Sequence, residues 1–316
     1  MADGSRHTLY MVEEGTTKES HGVTPNTPAM ATVRNTGVTL GLSKDSLQSE
    51  EIRGDRQIAD FRLGANQVGG DINFEMSHLT FDSLILGALQ ASDWVDTNPV
   101  NAKQKMAKAG TTRRSFSMMR HFADITDKPY FLFKGVEINS MSLSFGANAM
   151  VTGTLSVLGK SQVVVEEAPT GATYPAVTTS RAMDAFTGAI KEGGESIAVV
   201  TEASISIENS LNPRFVVGSK DGIYPENGRS NVTGSITAYF ESAALVEKFI
   251  NETPSSLTLE AADTVGNKYQ FEMPRIIYTG GQPDVGGEGS IVLTMPFQAI
   301  LDPTKQSNII VTRINA

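Results

Sequence analysis

The densest cluster of ionisable side chains lies between Glu51 and Arg62, where Glu51, Arg53, Asp55, Arg56, Asp60 and Arg62 alternate in sign. Carboxylates interleaved with guanidiniums suit acid–base chemistry, recognition of a ligand, or contact with another subunit. The run also contains Arg53-Gly54-Asp55, a tripeptide known from adhesion ligands, although one so short recurs by chance. Catalysis needs further groups, and the sequence offers few. Histidines occur only at His7, His21, His78 and His121, with no pair at metal-ligand spacing. His78 and His121 read as surface or strand-end residues. There are no cysteines, which removes disulfides, thiolate metal sites and cysteine nucleophiles together. Neither a G-x-x-x-x-G-K-[ST] phosphate loop nor a G-x-S-x-G nucleophile turn is present. The glycine-rich segment Thr279–Ser290 lacks the dinucleotide-binding order and joins one strand pattern to another, so it reads as a hairpin loop. A sugar-cleaving site would need two placed carboxylates, and one tryptophan with 7% aromatics gives no sugar platform. Trp94 reads as a local packing anchor. Neither an enzyme nor a cofactor is expected.

The remaining totals narrow the class further. At 316 residues the chain can bury a sizeable core, and its length suggests two domains. The formal charge of -9 argues against tight binding to a phosphate backbone, which relies on lysine and arginine to displace counterions. No signal-peptide core and no apolar run of membrane-span length is seen, so the expected product is soluble and made in the cytoplasm. The sequons at Asn231 and Asn251 then carry no meaning.

The elements that must position these residues are mostly strands. Alternation places Val38, Leu40 and Leu42 on one face, and Val68, Ile72, Phe74 and Met76 on another, with Asp71, Asn73 and Glu75 opposed to them. Met141, Leu143 and Phe145 alternate likewise, as do Ile205 and Ile207, and Ile291, Leu293, Met295 and Phe297. Two helices are predicted. One carries Phe81, Leu84, Ile85 and Leu89 on a stripe behind an N-cap at Thr80, and the other starts at Glu241 or Ser242 with Leu245 and Phe249. Asn101–Ala109 reads as a polar helix or loop.

Each helix follows a similar strand. Val68, Gly70, Ile72 and Phe81 align with Val232, Gly234, Ile236 and Leu245 at one constant offset, and Phe133 and Ile138 align with Phe271 and Ile276. The plan predicted is an internal duplication, with an N-terminal arm over 1–32, a first repeat over 33–160, a connector and hairpin over 161–197, and a second repeat over 198–316.

The segments "TPNTPAM", "EIRGDRQIADFRLG", "VGGDINFEMS" with "FDSLILGAL", and "DAFTG" give the chain a family likeness. It resembles the tail tube proteins of long-tailed bacteriophages, most specifically over residues 22–90. That resemblance implies a mainly β fold with flanking helices, a β-sandwich or barrel-like tube domain whose strands join a multi-subunit β-barrel. It implies self-assembly into stacked rings forming a hollow tube, with a tape-measure protein inside and terminator and tip proteins at the ends. DNA would pass through the lumen without specific binding, and the protein would sit in the virion, with no membrane partner. The resemblance favours a flexible, non-contractile tail.

On this plan Asp71, Asn73, Glu75, Ser235 and Thr237 are candidates for the lumen face, the alternative being outer solvent. Acidic and small polar groups there would repel phosphates. Glu51, Arg53, Asp55, Arg56, Asp60 and Arg62 become candidates for contacts between subunits or rings, along with the arm. Two tube domains per chain would make three chains a pseudo-sixfold ring, the competitor being a hexamer with an appended outer domain. A host-binding tail-tip or adhesin β-domain is the alternative function.

Overall fold

A computed structural model describes residues 3–97, 103–197, 199–283, 285 and 287–316 of the chain. It is mainly β, with large antiparallel ladders and two α-helices among the described residues. The principal elements are β1 (His7–Gly15), β2 (Gly41–Gln48), β3 (Phe61–Glu75), α1 (Asp82–Leu89), β4 (Gln104–Lys108), β5 (Ser115–Phe122), β6 (Tyr130–Gly146), β7 (Thr152–Gly159) and β8 (Ser161–Val165). They continue as β9 (Val200–Glu208), β10 (Asn231–Tyr239), α2 (Ala244–Ile250), β11 (Ser255–Ala262), β12 (Lys268–Tyr278), β13 (Val292–Ala299) and β14 (Ile310–Ile314).

One order of pairing occurs twice. In the first half β2 pairs β3, β3 pairs β7, β7 pairs β6, and β6 also pairs β5 and β8. In the second half β9 pairs β10, β10 pairs β13, β13 pairs β12, and β12 also pairs β11 and β14. The registers correspond too. Leu155 lies opposite Ile72 as Met295 lies opposite Ile236, and Val157 opposite Gly70 as Phe297 opposite Gly234. Further on, the letter-based alignment is two residues out. Val157 faces Ile138 and Phe297 faces Tyr278, so Ile138 corresponds to Tyr278 and not to Ile276.

Besides the β4–β14 pairing, the two halves meet at β6. Its N-terminal part pairs with β5 and β8, and its C-terminal part with β7 and, on the other edge, β9. A continuous row of strands therefore runs β2, β3, β7, β6, β9, β10, β13. One face of this row is buried: Ile72, Phe74, Leu155, Leu143, Phe145, Ile205, Ile207, Ile236, Met295 and Phe297 enter a single apolar core. Period-two alternation with one solvated face produces this pattern directly. Gly70 shows a backbone requirement as well. Its φ is +146°, and a Cβ there would sit 2.7 Å from the backbone of Leu40, which crosses at this point.

Several local expectations differ from the structure. The residues expected as an arm include β1, which pairs with β5 and buries Leu9 and Met11. Its alternation is short, and its burial depends on a partner a hundred residues away. Gln104–Lys108, expected as a polar helix or loop, is a strand paired with β14; residues 101 and 102 of that expectation lie outside the described residues. The helix α1 has Phe81 at its N-cap without a side-chain cap, because the Thr80 hydroxyl is engaged by Ser77 and Thr178 instead. The second helix begins later than expected, at Ala244.

Candidate functional site

The sequence's two groups of candidates fall in two separate places. Asp71, Asn73 and Glu75 alternate with Ile72 and Phe74 on β3 and are exposed, while Ser235 and Thr237 lie half-buried on β10. All five share the polar face of the strand row. The same face carries residues that the sequence reading did not single out: Thr154 and Ser156 on β7, Ser140, Ser142 and Ser144 on β6, Ser204 and Ser206 on β9, and Thr294 and Gln298 on β13. Asn73, Ser142, Thr154, Ser204, Ser235 and Gln298 among them line an open trough that runs from Thr36 at one side to Thr279 and Pro296 at the other, while Asp71, Glu75 and Thr237 lie on the same face outside it. Alternating serines in "SMSLSFG" and "ASISIEN" were a signal for this surface, since each polar position is fixed by an apolar neighbour pointing the other way.

Hydroxyls on this face are tied to one another across strands. Ser204 and Ser235 approach at 3.0 Å, Thr237 and Thr294 at 3.0 Å, and Thr154 donates to Asn73 at 2.8 Å. Acidity is not confined to β3, because Glu202 and Glu208 on β9 stand exposed on this face as well.

Glu51, Arg53, Asp55, Arg56 and Asp60 occupy the tip of a long hairpin formed by β2 and the first part of β3, closed where Gln48 faces Phe61, and Arg62 follows on β3 opposite Leu47. All six are exposed. Arg53 donates to Asp55 at 2.8 Å, and Arg62 to Asp60 at 3.0 Å, so these charges are partly neutralised within the tip. The hydrogen bond from Arg53 holds the Asp55 carboxyl below its ordinary range and raises the Arg53 guanidinium. The tip also exposes large apolar side chains that the sequence reading passed over: Leu47, Ile52, Ile58, Phe61 and Leu63. Scattered exposed apolar residues are ordinary, whereas here five lie on one hairpin.

The histidines serve packing. His78 is buried beside the Tyr269 ring, contrary to its expected place at the surface. His121 stacks on Tyr130 at 4.6 Å. His21 lies 3.2 Å from Glu137, whose carboxylate also takes two hydrogen bonds from Arg113, each 2.9 Å. Arg113 in turn rests 3.8 Å over the Tyr224 ring and donates to the Pro225 carbonyl. This buried cluster locks the N-terminal segment, β6 and the hairpin before β10 together. Trp94 packs as an anchor, near Tyr269 and under Arg313.

The structure thus presents an open trough on one unbroken strand row and, apart from it, a hairpin tip with exposed charged and apolar side chains. The profile of the phage tail tube protein family matches residues 4–299. The chain belongs to the phage tail tube protein family. As a tail tube protein it is a structural component of the virion tail, made to associate with copies of itself and with other tail proteins. No individual curated protein matches the chain.

Proposed function

We propose that this tail tube protein polymerises into stacked rings whose hollow bore conducts the phage genome into the host cell. Three chains make each ring, the two halves of every chain alternating around it as two tube-type repeats, 33–160 and 198–316. The polar trough faces the bore, with Asp71, Asn73, Glu75, Ser235 and Thr237 in contact with water there. The hairpin tip, from Glu51 to Arg62 with its apolar neighbours, reaches the adjacent ring. The bore encloses a tape-measure protein until ejection, and terminator and tip proteins cap the ends. Assembly takes place in the host cytoplasm. The protein performs no catalysis and needs no cofactor.

The observation that carries this reading is the strand row itself. It is unbroken across both halves of the chain, apolar on one side and hydroxyl-rich on the other, as a wall between a core and a water-filled channel requires. An overall formal charge of -9 suits a conduit that DNA must leave quickly. Electron microscopy of the purified protein tests the proposal. Hollow tubes with rings of three chains are expected. Six chains per ring would overturn the trimer, and persistent monomers that bind host cells would overturn the tube.

A further inference from the structure

Within the strand row the two halves of the chain meet in one joint, β6 against β9. Within it, Ser140 lies opposite Glu208, Met141 opposite Ile207, Ser142 opposite Ser206, Leu143 opposite Ile205 and Ser144 opposite Ser204. The strand row then ends in two edges that are the counterparts of these two strands.

At one end, residues 37–43 pair with β3 on one side only among the described residues. Val38 faces Ile72 as Ala203 faces Ile236, and Leu42 faces Val68 as Ile207 faces Val232. Leu42 is therefore the counterpart of Ile207. At the other end, the residues after β12 run beside β13, where the Thr279 amide donates to the Pro296 carbonyl at 2.9 Å. Pro296 occupies the place of Ser156, which faces Ser140, so Thr279 is the counterpart of Ser140.

Exposure differs between the filled and the unfilled sites at one apolar position and not at the next. Ile207, inside the joint, is 1% exposed and Leu42 is 37% exposed, whereas Leu40, the counterpart of Ile205, is buried even at the free edge. The helix beside the joint, α1, is sealed: Asn209, just past β9, donates to the Ala88 and Ile138 carbonyls at 3.0 Å each. Its counterpart α2 contains no buried residue, and its Ile250 is 64% exposed. Both deficits sit where a neighbouring half is missing.

We propose that the edge at Thr279–Pro283 of one copy receives the Gly37–Ser43 edge of the next copy in the register of the internal joint. Thr279 then lies opposite Ser43, Gly280 opposite Leu42, Gly281 opposite Gly41, Gln282 opposite Leu40 and Pro283 opposite Thr39. The occupant is a second copy of this chain because the chain already makes this contact with itself. Gly281 has φ +135° in the free edge, and a glycine there lets the segment extend when the partner strand arrives. This register rests on the ring reading above and adds the residues that close the ring. An edge left unpaired on both sides of every chain would otherwise invite indiscriminate strand addition.

The test exploits the absence of native cysteines. Ser43→Cys with Thr279→Cys is assembled and oxidised, alongside Ser140→Cys with Glu208→Cys as the internal control and Gly41→Cys with Thr279→Cys as a register slipped by two. Facing residues bring their Cβ atoms to disulfide range, so the matched pair should yield covalent dimers and closed trimers at least about fivefold more efficiently than the slipped pair. The control should close within one chain. Tubes in which the slipped pair links equally well or better would overturn the register. Tubes in which neither pair links while the control closes would overturn the edge contact. Wild-type protein that forms no rings would sink the tube reading itself, a failure visible before any cysteine is introduced.

Discussion

Removing apolar surface from the hairpin tip should weaken polymerisation without touching the fold. Ile52 is fully exposed and Phe61 is 55% exposed in the single chain, so neither supports the core. If both are covered by the adjacent ring, Ile52 gains the larger share, since a fully buried side chain of this size is worth about 1.5–3 kcal/mol and Phe61 has roughly half its surface left to bury. Allowing for incomplete burial, Ile52→Ala with Phe61→Ala forfeits about 2 kcal/mol per subunit, which raises the critical concentration for tube formation about thirtyfold. Pelleting of polymer across a concentration series reads this directly, with thermal melting of dilute unassembled protein alongside. The melting temperature should stay within about a degree of wild type, as expected for surface substitutions. A critical concentration within about twofold of wild type would show that the tip remains in solvent, against the estimate above. A large drop in melting temperature would show instead that these side chains hold the fold.

Reversing the charge of Asp71 and Glu75 to lysine should leave tube assembly intact but slow genome delivery; normal plaque formation by phage carrying the double variant would remove both residues from the bore. Arg113→Met strands the Glu137 carboxylate with His21 alone in a buried site, and loss of one partner from such a pair costs about 3–5 kcal/mol, so melting should fall by several degrees. His7, His78 and His121 all have their basicity lowered by burial, with Arg120 adding to the effect at His7. Their folded pKa values lie below the unfolded value, so the protonated form favours the unfolded chain. The contribution of these three groups is complete above about pH 6.5 and declines as pH falls through that value toward the folded pKa values. Melting followed from pH 7.5 to 5.5 should show this decline, and His78→Gln should flatten part of it; an unchanged slope would mean that His78 titrates normally.

The β-rich class and the five residues assigned to one polar face were readable from alternation, because a buried face imposes period two on any strand, and both helices from apolar stripes at helical spacing. Asp71, Asn73 and Glu75 were legible for that reason, between Ile72 and Phe74. The first part of β3 was not, since Phe61–Gly64 has no core beneath it and so no alternation to display. Strand β4 also escaped notice: its polar letters resemble a helix surface, and its strand partners are a two-residue segment, Val95–Asp96, and β14, two hundred residues away. At the hairpin tip the charges drew attention and the apolar residues did not, because their meaning depends on exposure, which sequence does not record. The trough as a whole required knowing which strands are neighbours, and the jump from β6 to β9 is invisible locally.

In the tube proposed above, the cross-strand hydrogen bonds on the polar face bear on how smoothly a polyanion would travel along it. Ser204 with Ser235, Thr237 with Thr294 and Thr154 with Asn73 spend hydrogen-bonding capacity on each other. A phosphate passing such a wall would meet hydroxyls and carboxylates but, among the polar-face residues named above, no lysine or arginine to hold it. Repulsion from Asp71, Glu75, Glu202 and Glu208 would keep it off the wall, leaving the viscosity of the intervening water as the main resistance to motion. A wall of this kind would act as a low-friction bearing, whose performance depends on the lack of sticking points more than on any single residue.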